Sequence, residues 1–410
     1  MIDDGRSVER RSLRIGEREV SDVGPCFVIA EIGHNHQGSL ETARRMFAAA
    51  KEAGASAVKL QKRHNRTLFT EAFYKKPYDN PNSFGPTYGE HREALEFGRA
   101  EYVELKAYAE ELDIEFFATA FDQRSADFLA DLDMPAYKIA SGDLTNTPLL
   151  RYVAEIGKPM IVSTGGGDLD DVCRAYEEIM PINPQLAILQ CTAAYPAPWE
   201  QLNLGVIGTY RAMFPDIQIG LSSHDNGIAM AVAAYCLGAR IIEKHFTLDR
   251  TMRGTDHAFS LEPQGMRKMN RDLERLFIAL GDGTKKVYEN EIEPIKKMGK
   301  KLVAARSLPA GHILTEEDIA AKSPGDGLPP SELDRLVGST LRSAVEKDTA
   351  LHFDLLESFE LTPESIIHAT NGARAIEREA KKRLEETAAD ARPLAAQASK
   401  GSRNGRRRAR

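Results

Sequence analysis

The chain is poor in cysteine. Four occur in 410 residues, Cys26, Cys173, Cys191 and Cys236, far apart and without a C-x-x-C pair. That spacing argues against a zinc cluster or a disulfide framework and fits a reducing cytoplasm. Long apolar runs are missing as well. The longest, Ile228 to Ala239, is alanine-rich, stops at Arg240 and falls short of the roughly 18 residues a membrane span needs. The first residues, MIDDGRSVERR, have no apolar core behind their charges, so no signal peptide is visible. There is no excess of positive charge either. The formal net charge is −7, which disfavours a nucleic-acid binder. Neither a G-x-G-x-x-G nor a P-loop pattern is present. What is there is 42% hydrophobic and 28% charged residues, the balance of a soluble globular protein. A cytosolic enzyme or binding protein remains, with no membrane or nucleic-acid partner expected.

One pattern recurs from about residue 26 to residue 285. A short apolar run ends abruptly in polar residues, and an amphipathic segment follows. The runs are Phe27–Ala30, Ala57–Leu60, Phe116–Ala118, Tyr137–Ala140, Met160–Val162, Leu186–Leu189, Ile217–Leu221 and Arg240–Ile242. Helix-like stretches such as Leu40–Ala53 and Glu101–Leu112 alternate with them. Strand–helix alternation implies parallel strands with crossover helices. Eight units in about 260 residues match an α/β fold of the (β/α)₈ TIM-barrel type. A doubly wound sheet gives a similar alternation, and the count of eight favours the barrel. Residues 1–25 read as an N-terminal extension and 286–300 (KVYENEIEPIKKMGK) as a charged linker. Residues 301–358 are short-stranded and rich in Pro and Gly turns, a small second domain. Residues 359–410 read as a helical stretch dissolving into a basic, disordered tail, ASKGSRNGRRRAR.

In such a barrel the active site sits at the C-terminal ends of the strands. Those ends carry Glu31, Lys59, Gln61, Thr119, Lys138, Ser141, Ser163, Ser222, His224, Glu243 and His245. His224 (SSHDNG) and His245 (EKHFT) close adjacent units, where two imidazoles can share one divalent ion and leave positions for water and substrate. Either histidine alone is as readily a hydrogen-bonded strand end. Lys59 and Lys138 sit where an unpaired ammonium is costly. They call for an anion, whether Glu31, Glu243, a phosphate or a carboxylate. With hydroxyls at Ser141, Ser163 and Ser222 they look like a cradle for an anionic substrate. A Schiff-base aldolase lysine and ordinary barrel salt bridges are the competing readings. Glu31, followed by Gly33, His34, Asn35 and His36, is placed to act as a general base. Asp256, in GTDHAFS, is placed either to bind a substrate hydroxyl or to start a helix. The cluster Gly165–Gly167 could bring backbone amides to a phosphate, and turn formation explains it equally well.

The blocks VIAEIGHNHQGSL, AVKLQK, YKIASGD, LQCTAAYP, IGLSSHDNGIAMAVAAYCLGARIIEKHFTLD and GTDHAFSLEP resemble the sialic acid synthases, the N-acetylneuraminate synthase family. KLVAARSLPAGHILTEEDIAAKSPGDGLPP resembles their antifreeze-like (SAF) domain. The resemblance spans about residues 26–357. It implies condensation of phosphoenolpyruvate with an N-acetylated hexosamine, release of inorganic phosphate, and a nine-carbon 2-keto sugar acid. It implies Glu31 as the catalytic glutamate. His224 and His245 become ligands of a divalent metal, Mn²⁺ foremost, with Mg²⁺ or Co²⁺ as alternatives. Lys59, Lys138, Ser141, Ser163 and Ser222 match positions that hold phosphoenolpyruvate; Gln61, Tyr195 and Asp256 match positions near the sugar; Thr119 and Glu243 match further pocket positions. A domain-swapped homodimer, with the SAF domain closing the partner's barrel mouth, is implied too. Two positions depart from bacterial relatives. Ala193 stands where they carry asparagine, and Ser323 where they carry a sugar-contacting arginine. These regions, with the TYGEH block at Thr87–His91, look closer to the animal-type synthases, which use N-acetylmannosamine 6-phosphate. The acceptor is therefore open between the free sugar, its 6-phosphate, and a modified sugar leading to legionaminic or pseudaminic acid.

Overall fold

Every apolar run becomes a parallel strand, and every strand but Tyr137–Ile139 continues into the polar residues that follow. The computed structural model describes residues 11–357, which divide into two units between Asp282 and Gly283. In the first, β1 (Ser12–Ile15) and β2 (Arg18–Ser21) form an antiparallel hairpin. Eight strands then close a barrel: β3 (Phe27–Gly33), β4 (Ala57–Lys62), β5 (Glu115–Ala120), β6 (Tyr137–Ile139), β7 (Met160–Ser163), β8 (Leu186–Cys191), β9 (Gln218–Ser223) and β10 (Ile241–His245). All neighbouring pairs are parallel, and β10 pairs with β3 to complete the circle. The doubly wound alternative is thereby excluded. Helices α1 (Leu40–Glu52), α2 (Arg99–Glu111), α3 (Gln123–Ala130), α4 (Thr147–Glu155), α5 (Leu169–Ile179), α6 (Val206–Met213), α7 (Ala229–Cys236) and α8 (Pro263–Leu280) follow the strands in turn. Local chemistry starts several of them. Ser39 accepts a hydrogen bond from the Thr42 amide at the head of α1, and Asp122 and Asp168 do the same for α3 and α5, each satisfying an amide that has no partner within its helix.

Alternation along the strands sorts side chains into two layers, because successive residues point to opposite faces. Val28, Ala30, Val58, Leu60, Phe116 and Ala118 face outward and pack under the helices. Ile29, Ala57, Phe117, Ala136, Ile161, Leu189 and Ile241 face inward and form an apolar plug. Leu13, Ile15 and Val20 of the hairpin belong to that same inner cluster. Residues 1–25 thus include more than a featureless extension: the hairpin closes the barrel at the end where the strands begin. Two residues beyond each inward apolar side chain comes the next inward one, and there the chemistry changes. Ile29 is followed by Glu31, Ala57 by Lys59, Phe117 by Thr119, Ala136 by Lys138, Ile161 by Ser163, Leu189 by Cys191 and Ile241 by Glu243.

In the second unit, β11 (Lys301–Ala304) pairs antiparallel with β12 (Ile319–Lys322) over a core that includes Leu302, Leu314, Leu336 and Leu351. Part of the expected linker is a helix, α9 (Glu289–Met298). Its first turn carries Glu289 and Glu291 and its last Lys296 and Lys297, which complement the helix dipole. It buries no residue, so no apolar stripe marked it in the sequence. The expected tail beyond residue 358 lies outside the described residues.

Candidate active site

Register brings the inward polar residues to one level. Glu31 pairs across the sheet with both Lys59 and His245, Gln61 with Thr119, Thr119 with Lys138, and Glu243 with Ser222. They open into a cavity of about 770 Å³ lined by all thirteen residues singled out above, including Ser141, Tyr195, His224 and Asp256 from the following loops. That volume suits small-molecule substrates.

At the centre lies Lys59, 2% exposed. Its Nζ stands 2.5 Å from Glu31 Oε2 and 3.8 Å from Glu243 Oε2, and it donates to Thr119 Oγ1 at 2.7 Å. Gln61 Nε2 donates to the other oxygen of Glu31 at 2.7 Å. Burial raises the Glu31 pKa to about 6, with Glu243 adding to the rise and Lys59 opposing it. Glu243 goes the other way. Burial would raise it too, but Lys138, Lys59 and a 3.0 Å hydrogen bond from Ser222 Oγ hold it near 2. Two carboxyls in one cavity are thus set apart, one poised to exchange protons near neutrality and one permanently charged.

Lys138 is also 2% exposed. It donates to Ser163 Oγ at 2.6 Å and to the Ile139 carbonyl at 2.7 Å, and burial lowers its pKa. Among the described residues no carboxylate lies within ion-pair distance of it, so its charge is available to an anion. Ser141 Oγ accepts from the Gly165 amide at 3.0 Å. A Cβ at Gly165 would come within 2.9 Å of that oxygen and 2.8 Å of Ala193 Cβ. The Gly165–Gly167 turn therefore lies against the cavity wall, and Ala193 keeps room for it. Ser323 lies in the second unit, where it accepts from Lys300 Nζ at 2.5 Å.

Opposite stand the imidazoles of His224 and His245, ring centroids 5.3 Å apart, with Tyr195 over His224 at 4.1 Å. His224 Nδ1 lies 2.9 Å from the Thr192 carbonyl. That contact places the proton on Nδ1 and leaves the Nε2 lone pair free. His245 Nδ1 is buried without a hydrogen-bond partner, 3.9 Å from Asp256 Oδ2. Burial lowers both pKa values, that of His224 to about 4. Neutral imidazoles with one oriented lone pair and one unpartnered nitrogen fit a divalent ion whose remaining positions are filled by water and substrate. Among the described residues no group of three or more His, Cys, Asp or Glu side chains is arranged around a common point, so His224 and His245 are the two side chains that would hold such an ion. Behind the wall, Lys244 points outward and forms a buried pair with Asp225 at 2.8 Å, fixing the loop that carries His224.

Sequence reasoning missed Arg63 and Arg92, which also line the cavity. Arg63 lies two residues past Gln61 at the end of β4. Arg92 comes from the short helix Tyr88–Glu93, in the TYGEH region, where no periodicity announced a barrel element.

Fold and cavity define a (β/α)₈ enzyme that handles anionic substrates beside a pair of imidazoles. Comparison with known proteins narrows this. The chain belongs to the NeuB family, which it matches over residues 46–285, and residues 301–357 match the SAF domain. It is 42% identical to the N-acetylneuraminate-9-phosphate synthase of Homo sapiens, over 83% of this chain and 95% of that protein. It is 36% identical to the N,N'-diacetyllegionaminic acid synthase of Legionella pneumophila, over 81% and 95% respectively. The crystal structure of the N-acetylneuraminic acid synthetase of Leptospira borgpetersenii superposes with a TM-score of 0.61 at 31% identity, covering 70% of this chain and 95% of that one.

Proposed function

We propose that this chain condenses phosphoenolpyruvate with N-acetylmannosamine or its 6-phosphate, with water, to give N-acetylneuraminate or its 9-phosphate and inorganic phosphate. The observation that carries the reading is the meeting, in one cavity, of the Lys138 cation, which has no carboxylate within ion-pair distance, the Lys59–Glu31 pair and the two imidazoles, on a chain of the NeuB family. Lys59, Lys138 and the hydroxyls of Ser141, Ser163 and Ser222 hold phosphoenolpyruvate, while Gln61, Tyr195 and Asp256 face the sugar. Alignment of two substrates before bonding supplies much of the rate. His224 and His245 would hold a divalent ion, with Mn²⁺ the first choice and Mg²⁺ or Co²⁺ as alternatives, and such an ion would supply Lewis acidity toward the open-chain aldehyde.

The enol C3 forms a bond to the aldehyde carbon, and the aldehyde oxygen takes a proton to become a hydroxyl. Positive charge left at C2 is captured by water, whose proton passes to a base. The tetrahedral centre then breaks its bond from C2 to the phosphate oxygen, inorganic phosphate departs, and the C2 hydroxyl gives up its proton to the leaving phosphate or a base as the ketone forms. Glu31 is the group to hold and return these protons, because it changes charge near neutrality. Glu243 stays ionised and offsets the cationic centre. The reading includes a homodimer in which the SAF domain of one copy closes the barrel mouth of the other, keeping water out until capture; size-exclusion chromatography of the full chain tests it.

The deciding experiment is phosphate release from phosphoenolpyruvate, comparing N-acetylmannosamine, its 6-phosphate and a dideoxy diacetamido hexose. Release with either of the first two supports the reading. Release with the third alone makes the product a legionaminic- or pseudaminic-type acid. A borohydride-trapped adduct on Lys59 or Lys138 with a keto acid would replace the synthase with a Schiff-base aldolase.

A further inference from the structure

The two imidazoles of the cavity are held differently. The Thr192 carbonyl fixes the ring of His224 through a hydrogen bond, whereas His245 Nδ1 is buried without one. Packing has to supply what that bond would. The Phe259 ring meets His245 with centroids 4.9 Å apart, and the same ring touches Tyr195 at 5.5 Å and His224 at 6.0 Å. Phe259 is 4% exposed and is not among the residues that line the cavity. It is a wedge behind the wall. The loop that carries it also carries Asp256, three residues earlier, which does line the cavity.

That loop leaves and returns at one point. The Leu261 amide donates to the His245 carbonyl at 2.7 Å, and the Thr247 amide to the Leu261 carbonyl at 2.9 Å. Asn35, from the segment after β3, is buried in this neck. Its Nδ2 donates to the Phe246 carbonyl at 2.9 Å and to Ser260 Oγ at 3.0 Å. Ser260, buried as well, donates onward to the Asp256 carbonyl at 2.6 Å. The direction of this relay follows from its ends. A carbonyl only accepts, so the amide nitrogen of Asn35 faces Phe246. The single hydroxyl proton of Ser260 goes to Asp256, which leaves its oxygen to accept from Asn35. One side-chain amide, a few residues past Glu31, thus grips the residue after His245, the residue after Phe259 and, through it, the Asp256 backbone. The reaction chemistry uses neither Asn35 nor Ser260.

We propose that Asn35 and Ser260 are positioning residues for the sugar end of the site. The bridge they form keeps Asp256 in place and presses Phe259 against His245. The proposal rests on the synthase reading, in which Asp256 faces the acceptor, and deepens it. Phosphoenolpyruvate, held by Lys59 and Lys138, takes no support from the bridge. Other contacts keep the loop folded when the bridge is cut: Thr247 Oγ1 lies 2.7 Å from His257 Nδ1, and Arg250 Nε donates to the Ala258 carbonyl at 2.7 Å.

Ser260→Ala breaks the bridge in the middle. With the full chain, kcat and both KM values are measured by phosphate release, and Mn²⁺ binding is measured by calorimetry without substrates. The acceptor KM and the Mn²⁺ Kd are each expected to rise by about 10-fold, the usual worth of a group one step behind a ligand. The KM for phosphoenolpyruvate stays within about twofold. Asn35→Ala gives the same pattern. The double variant is no worse than either single one, because both substitutions cut one connection. Ser260→Thr keeps the hydroxyl and recovers most of the loss. The proposal is overturned if the acceptor KM or the Mn²⁺ Kd of Ser260→Ala stays within about twofold of wild type, or if both KM values rise equally. It is also overturned if the single-variant effects multiply in the double variant, or if the wild type binds no Mn²⁺. A wild type that binds Mn²⁺ but releases no phosphate with any acceptor removes the synthase reading instead, and the Mn²⁺ constants then decide the hold on His245. If Ser260→Ala does not fold, Asn35→Ala and Ser260→Thr decide.

Discussion

Replacing Glu31 by glutamine is the sharpest test of the proton chemistry. The volume is kept, and Gln61 can still donate to the new carbonyl in place of its 2.7 Å bond to Glu31. What goes is the negative charge 2.5 Å from Lys59 Nζ and the ability to change protonation near neutrality. Lys59 keeps Glu243 at 3.8 Å and Thr119 at 2.7 Å, so its cation is not stranded and the fold survives. General acid–base assistance is worth about 10²-fold or more, and the expected loss in kcat corresponds to about 2.7 kcal/mol or more of transition-state stabilisation. The pH profile adds a second readout. Burial raises the Glu31 carboxyl to about 6, and a base works only when ionised. Wild-type kcat/KM is therefore level above that pH and falls by about tenfold per unit below it. In Glu31→Gln the acid limb near 6 disappears. Unchanged turnover, or the same limb in the variant, would refute a proton-holding role for this residue.

Further expectations concern the walls of the cavity. Lys138→Met removes a buried cation whose hydrogen-bond partners are neutral and should raise KM for phosphoenolpyruvate by about 10- to 100-fold, the worth of one charged hydrogen bond; a KM within twofold of wild type would show that the anion is held elsewhere. His224→Ala should abolish Mn²⁺ binding in calorimetry together with activity, and full turnover of that variant in chelator would end the metal reading. Asp225→Ala leaves Lys244 buried without its 2.8 Å partner and should cost about 3–5 kcal/mol in chemical denaturation; a loss under about 1 kcal/mol would mean that water reaches the ammonium.

Much of this architecture could be read from the chain because strand alternation is strict. In seven of the eight barrel strands the last inward apolar residue is followed two places later by Glu, Lys, Thr, Ser or Cys, and that switch marks both the barrel and its mouth. The fold therefore followed from pattern, and eleven of the thirteen site residues from where the pattern broke, while Asp256 was read from its loop and Tyr195 only from the family resemblance. What escaped notice lacked a pattern. The hairpin strands Ser12–Ile15 and Arg18–Ser21 have four residues each, too few for a period to emerge. Helix α9 buries nothing. Arg92 sits in an excursion between β4 and α2 whose short helices are ordered by aromatic contacts such as Tyr78–Tyr88 and Tyr88–Phe73, and only three dimensions bring it beside Arg63. The imidazole pair was legible as two strand ends, whereas the Thr192 carbonyl that orients His224 belongs to another loop, 32 residues away.

The β1–β2 hairpin makes the barrel a vessel with a single rim. Leu13, Ile15 and Val20 stopper the lower end, so nothing passes through, and whatever enters must leave by the way it came. Shortening this stopper would bare the underside of the apolar plug, Phe27, Ile29 and Ile241 among it, to solvent, far from any residue that lines the cavity.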